Sequence, residues 1–269
     1  MMWNVLFNPS LAERHPFTMM IIGIFYSSVS ILLSGWIFPE YASLIMVFFS
    51  VMSCLYVVQG AIRIEENKEF DFKGEGWLLR EHLKILYFFF FLFIGFVVSF
   101  SFWTFILPIE KVASLFSLQA SVVEGIKAMV ATGSSFQNSA FVIILMNNLK
   151  VLFISLIFAF FYGAGAIFVL VWNASVMGFV IGDLSRNTLG FIALPIAFTK
   201  YFLHGVPEML AYITTALAGG IIYVALWRGD FFRPGRGRRI FIDTAILIFV
   251  SIILLVIAAL IEVYISPFV

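Results

Sequence analysis

The chain has 269 residues, 62% of them hydrophobic and 12% charged, with a mean hydropathy of +1.08. A soluble domain is about 45–50% apolar and about 25% charged. Thirty-four phenylalanines without a long polar block exclude a soluble enzyme, a nucleic-acid binder and a disordered chain. Sixteen Lys and Arg against fifteen Asp and Glu leave a net charge of +1, which names no partner, and the lone Cys54 excludes an intramolecular disulfide or a cysteine metal cluster. The expected fold class is all-α: a polytopic membrane helix bundle.

A spanning helix needs roughly 20 apolar residues. Residues 17–38 and 41–61 form a hairpin turned at Pro39-Glu40, and the first run lacks the small-residue cleavage site of a signal peptide. A third run, 85–107, stops at Pro108. Between 109 and 131, Leu115, Val122, Ile126 and Met129 recur at helical spacing among Glu110, Lys111, Gln119, Glu124 and Lys127, which predicts an amphipathic helix in the membrane surface. Residues 149–181 are too long for one untilted span, and Gly163-Ala164-Gly165 lies at their midpoint. Two short spans hinged there, 146–163 and 165–183, are the favoured reading, with one long tilted helix as the alternative. Pro195 interrupts 191–203, which is therefore expected along the surface as a second interfacial or re-entrant segment. The runs 205–227 and 240–265 complete the set.

Loop charge arbitrates between seven spans and six, because short cytoplasmic loops collect Lys and Arg. Arg63, Lys68, Lys73, Arg80 and Lys84 crowd the connection after the second span, read as a solvated loop. Arg228, Arg233, Arg236, Arg238 and Arg239 crowd the connection before the last. With seven spans both loops lie inside together with Arg14, which places the N-terminus in the cytoplasm and both surface segments outside. With six, the arginine-rich loop faces outward. The chain divides at 84/85 into an N-terminal hairpin with its charged loop (1–84) and a core membrane domain (85–269).

Polar groups in lipid are costly unless paired, so each is a candidate. His204 and Glu208 are four apart and share a helix face. Pro207 is tolerated if the helix opens at Gly205 or Val206, which would place His204 near the cap. Tying the helix start to its neighbours is the leading role, ahead of proton or ion handling and of acid–base chemistry. Three histidines spread along the chain (His15, His82, His204) make a zinc protease untenable; no metal and no cofactor is expected. Asn147 and Asn148 open the central hairpin as caps or interhelical bonds, and Asn173 and Asp183 follow within it. Gly178 and Gly182, and Ala211, Thr215 and Gly219, form small faces for close helix packing, with Gly163, Gly165 and Gly220 as further packing glycines. Cys54 reads as buried packing, and Asp243 and Glu262 as interface residues without a site.

The runs NNLKVLFISLIFAFFYGAGAIFVLVWNASVMGFVIGD (147–183) and HGVPEMLAYITTALAGG (204–220) resemble the stage II sporulation protein M family. Its N-N-basic start falls on Asn147 and Asn148, and its H-G-x-x-E element on His204, Gly205 and Glu208. The opening NPSLAERHPF (8–17) and the hairpin after it look like the archaeal branch. The resemblance implies a non-enzymatic plasma-membrane scaffold that holds envelope or membrane proteins in contact with lipid, with a homo-oligomer as an alternative use of the small faces; no nucleic-acid partner is expected. The extra N-terminal hairpin departs from the sporulation namesake, so the namesake's part in wall degradation does not carry over. The competing expectation is a transporter or channel for a solute, ion or lipid, built around His204 and Glu208.

Overall fold

The computed structural model describes residues 16–68, 75–131, 136–159, 164–188, 190–233 and 235–268. Every regular element among them is helical: α1 (Pro16–Ile37), α2 (Ala42–Lys68), α3 (Glu75–Ile106), α4 (Ile109–Leu115), α5 (Ser117–Ala131), α6 (Phe136–Ala159), α7 (Ala164–Asn187), α8 (Ala193–Trp227) and α9 (Arg236–Tyr264), with single 3-10 turns at Gly190–Ile192, Asp230–Phe232 and Ser266–Phe268. Seven of them (all but α4 and α5) are long and apolar enough to cross a membrane. The central run is thus two helices, α6 and α7, and the six-span alternative falls. Alternation of seven spans puts the α2–α3 and α8–α9 connections at one end, here the arginine end, and α4–α5 at the other.

Large apolar side chains fill the core and also cover the outside, as lipid permits, while small polar residues are buried between helices. Phe25, Trp36, Phe153 and Phe249 are exposed, whereas Ser27, Ser30, Ser50, Ser101, Ser185 and Ser251 are buried. Each of these serines donates to a carbonyl one turn back, at 2.6–2.9 Å, so its hydroxyl is satisfied within its own helix. Small residues then set how closely the helices approach. At the α1–α3 crossing a Cβ on Gly95 would lie 2.2 Å from the Met20 carbonyl oxygen, and one on Gly23 2.8 Å from that of Leu92. Nearby, Ser28 and Ser99 share a hydrogen bond at 3.0 Å and Trp103 Nε1 donates to Ser28 Oγ at 3.0 Å. On the next face of α3, Gly178 and Gly182 of α7 lie against Phe100, Ser101 and Thr104. Arg186, in the last turn of α7, donates to the Phe105 and Leu107 carbonyls. A cation there satisfies orphan acceptors at the C-terminus of α3 and complements its dipole.

Three expectations change. Residues 191–203 are no separate surface segment: Pro195 sits in the first turn of α8, where its missing N–H has no helical partner to lose, and the helix continues through Pro207 to Trp227. Unpaired backbone in lipid costs more than one interior proline, which favours continuity. The charged stretch 63–84 is mainly helix, because α2 runs to Lys68 and α3 starts at Glu75; Glu, Lys, Arg and Leu are good helix formers. Third, residues 109–131 form two helices broken at Phe116, and their buried face is Val112, Leu115, Phe116 and Gln119, while Val122 is exposed. Phe116 packs between Phe100 and Phe179. Gln119 is completely buried: its Oε1 accepts from Ser43 Oγ at 2.6 Å and its Nε2 donates to Ser175 Oγ at 3.0 Å. One amide thereby ties the surface helix to α2 and α7.

Candidate functional site

His204, Gly205 and Glu208 lie within continuous α8, about three turns past its start, so His204 caps nothing. The i,i+4 pair is not hydrogen-bonded together; each member has another partner. Buried His204 meets Ser266 Oγ through Nδ1 at 3.1 Å, and Ser266 Oγ in turn donates to the Lys200 carbonyl at 3.4 Å. Glu208 Oε1 accepts from Tyr212 Oη one turn on, at 2.8 Å. His204 therefore pins the turn after α9 to α8, and Tyr212 holds the Glu208 carboxyl against its own helix.

A second carboxyl completes the cluster. Glu262 of α9 lies within electrostatic range of Glu208, Tyr212 and Tyr201, and Asp183 of α7 within range of Tyr201. Among the described residues no Lys, Arg or His forms an ion pair with Glu208 or Glu262. The sequence reading left Glu262 at the interface with no role. The His204–Ser266 contact sets the register of the antiparallel pair and brings 262 level with 208.

The asparagines do not open a helix, because α6 begins at Phe136. Asn147 is exposed and makes only a 3.4 Å contact from Nδ2 to Asn148 Oδ1. Asn148 is buried and its Nδ2 has no hydrogen-bond partner among the described residues. Asn173 Nδ2 donates to the Val169 carbonyl at 2.8 Å. Helix register nevertheless sets them level with the cluster. Gly219 touches Leu156 and Ala159, and α6 and α8 run the same way; Asn148 and Glu208 each precede that contact by eleven residues, about 16 Å at 1.5 Å per residue. Gly205 lies against Met177, one turn from Asn173 on antiparallel α7. Asn148, Asn173, Glu208 and Glu262 thus occupy one layer of the bundle. A Cβ on Gly219 would come 2.5 Å from that of Ala159. Gly220 beside it is half-buried, Gly165 is in the first turn of α7, and Gly163 lies outside the described residues. No group of three or more His, Cys, Asp or Glu able to hold a metal ion occurs among the described residues.

The sequence profile of the family described as stage II sporulation protein M matches residues 85–267. The chain belongs to that family. The matched region runs from within α3 to the turn after α9, so it contains the whole polar layer and leaves α1 and α2 outside. Within it, His204-Gly205-x-x-Glu208 of this stage II sporulation protein M family member contributes Glu208 to the layer and His204 one turn away from it. An uncharacterized protein of Methanocaldococcus jannaschii is 36% identical over 126 residues, 46% of this chain and 69% of its own length. No solved structure matches the chain.

Proposed function

We propose that this chain is a non-enzymatic plasma-membrane scaffold, with its N-terminus in the cytoplasm, that holds partner proteins in envelope or membrane remodelling. The observation that carries the reading is how the motif is used: His204 bonds to Ser266 and Glu208 to Tyr212, so its two polar side chains have internal partners. Buried polar groups satisfied in this way stiffen a bundle. Further support comes from α4–α5, which Gln119 fixes to α2 and α7 while Glu110, Lys111, Glu124 and Lys127 remain exposed as a rigid polar face for a partner. Photo-crosslinkers at Lys111 and Lys127 should give discrete protein adducts in native membranes, and one at lipid-facing Phe25 should not. Alanine at His204 or Glu208 should lower thermal stability. Full stability with loss of a solute flux in proteoliposomes would overturn the scaffold.

One observation favours a second reading, as a carrier of a cation or proton. Glu208 and Glu262 lie within electrostatic range of each other with no ion-pair partner among the described residues, in the layer that holds the unbonded Nδ2 of Asn148. On that reading Glu208→Gln and Glu262→Gln would each abolish a flux that the unmodified protein supports.

A further inference from the structure

The α8–α9 turn lies nineteen residues of helix, about 28 Å, from Glu208 in the polar layer. Residues 228–239 hold five arginines and a single aspartate. Ala159 of α6 touches Gly219, and α8 continues eight residues past that contact, about 12 Å, to Trp227.

The shape of the turn is fixed by its backbone. Gly229 and Gly235 take φ of 71° and 83°, in the left-handed region that favours glycine. Gly237 packs so tightly on the Phe231 carbonyl that a Cβ would lie 1.9 Å from its oxygen. Arg233 N donates to the Asp230 carbonyl and Gly237 N to that of Arg233. Buried Asp230 gathers two cations on one oxygen: Oδ1 meets Arg233 Nη1 at 2.8 Å and Arg236 Nη1 at 3.1 Å. One carboxylate cannot neutralise two guanidinium groups. Each guanidinium has five N–H donors, of which the carboxylate uses few, and both side chains remain more than half exposed. Trp227 and Phe232, on the same tip, are 80% and 79% exposed.

We propose that the α8–α9 tip binds the phosphate of an anionic phospholipid, Arg233 and Arg236 holding the headgroup while Trp227 and Phe232 enter the acyl boundary. Guanidinium suits phosphate because its planar N–H fork matches the oxygens. Exposed aromatic rings on the same tip favour a membrane interface over a soluble anion. Charge alone would serve orientation in the membrane; a buried carboxylate that sets two arginines side by side makes a site.

The test uses the full chain purified with lipid, counting retained phosphatidylglycerol against phosphatidylcholine by native mass spectrometry. The unmodified protein should prefer phosphatidylglycerol by at least about fivefold, the factor one arginine supplies near an anionic surface. R233Q/R236Q should lose that preference. Because it strands a buried carboxylate, D230N/R233Q/R236Q serves as the version without an unpaired charge. R233K/R236K keeps Asp230 paired and the charge unchanged, so it guards against misfolding; it should still weaken the preference several-fold, since lysine lacks the fork. An unchanged preference in the lysine variant would reduce the tip to charge alone and overturn the site. Displacement of phosphatidylglycerol by millimolar inorganic phosphate would overturn the lipid assignment in favour of a soluble phosphate.

Discussion

Two side-chain hydrogen bonds hold this end of the last helical hairpin, His204–Ser266 between α8 and the turn after α9 and Tyr212–Glu208 within α8, and each can be broken singly. Removing one partner of a buried hydrogen bond costs about 1–3 kcal/mol, because the other is left unsatisfied. Tyr212→Phe strips the donor from Glu208 and should lower stability by about that amount in a detergent melt, while Tyr56→Phe, at an exposed position on α2, serves as a comparison for the loss of a hydroxyl elsewhere. His204→Ala and Ser266→Ala should each destabilise, and the double variant by less than the sum, with a coupling of about 0.5 kcal/mol or more. Additive losses would show that the 3.1 Å contact carries no energy. At this scale residue type was legible and partnership was not. His204 and Glu208 stand out as polar groups in an apolar run, but i,i+4 spacing says only that they share a face. Which neighbour each meets depends on α9 packing beside α8, and Ser266 is sixty-two positions away.

Elements are held here by the absence of side chains as much as by their presence. Gly95 and Gly125 are both helical glycines, yet a Cβ on the first would strike the Met20 carbonyl and one on the second meets nothing within 4 Å. Gly95→Ala should therefore cost about 1–3 kcal/mol by forcing α1 and α3 apart, whereas Gly125→Ala should be neutral or stabilising by up to about 1 kcal/mol through helix propensity. Thermal melts of the two variants side by side check this. Gln119→Leu should free α4–α5: Ser43 and Ser175 lose their shared partner, and hydrogen exchange across 109–131 should speed up without change in α3. Apolar run length located most spans because lipid leaves the backbone no alternative to helix. It failed at 191–203, where Pro195 looked like a break but falls in a first turn, and at Gln119, where amphipathic periodicity cannot tell a water-facing amide from one bonded inside. The Gly23–Gly95 crossing gave no sequence signal, since one glycine on each of two helices forms no spacing pattern.

Across the whole molecule the number of spans fixes which surfaces share a side of the membrane, and that number turned on the stretch around Gly163. Loop charge favoured seven because Arg228, Arg233, Arg236, Arg238 and Arg239 would otherwise lie across the membrane from Arg63 and Lys84. Separate helices α6 and α7 give the same parity from geometry. With seven spans, α5 and the α8–α9 turn lie on opposite sides; with six, they would lie together. The lone Cys54 is buried, so Cys54→Ala provides a background in which introduced thiols report cleanly. Gly125→Cys sits where a side chain has open space and Arg238→Cys in an exposed position. A membrane-impermeant maleimide added to intact cells should label Cys at 125 and spare Cys at 238 until the membrane is opened. The reverse pattern would keep seven spans but turn the molecule over, so that the polar face of α4–α5 would meet cytoplasmic partners and the arginine tip the outer leaflet. Labelling of both from outside would restore six spans and remove the basis for placing α5 and the arginine tip on opposite sides of the membrane.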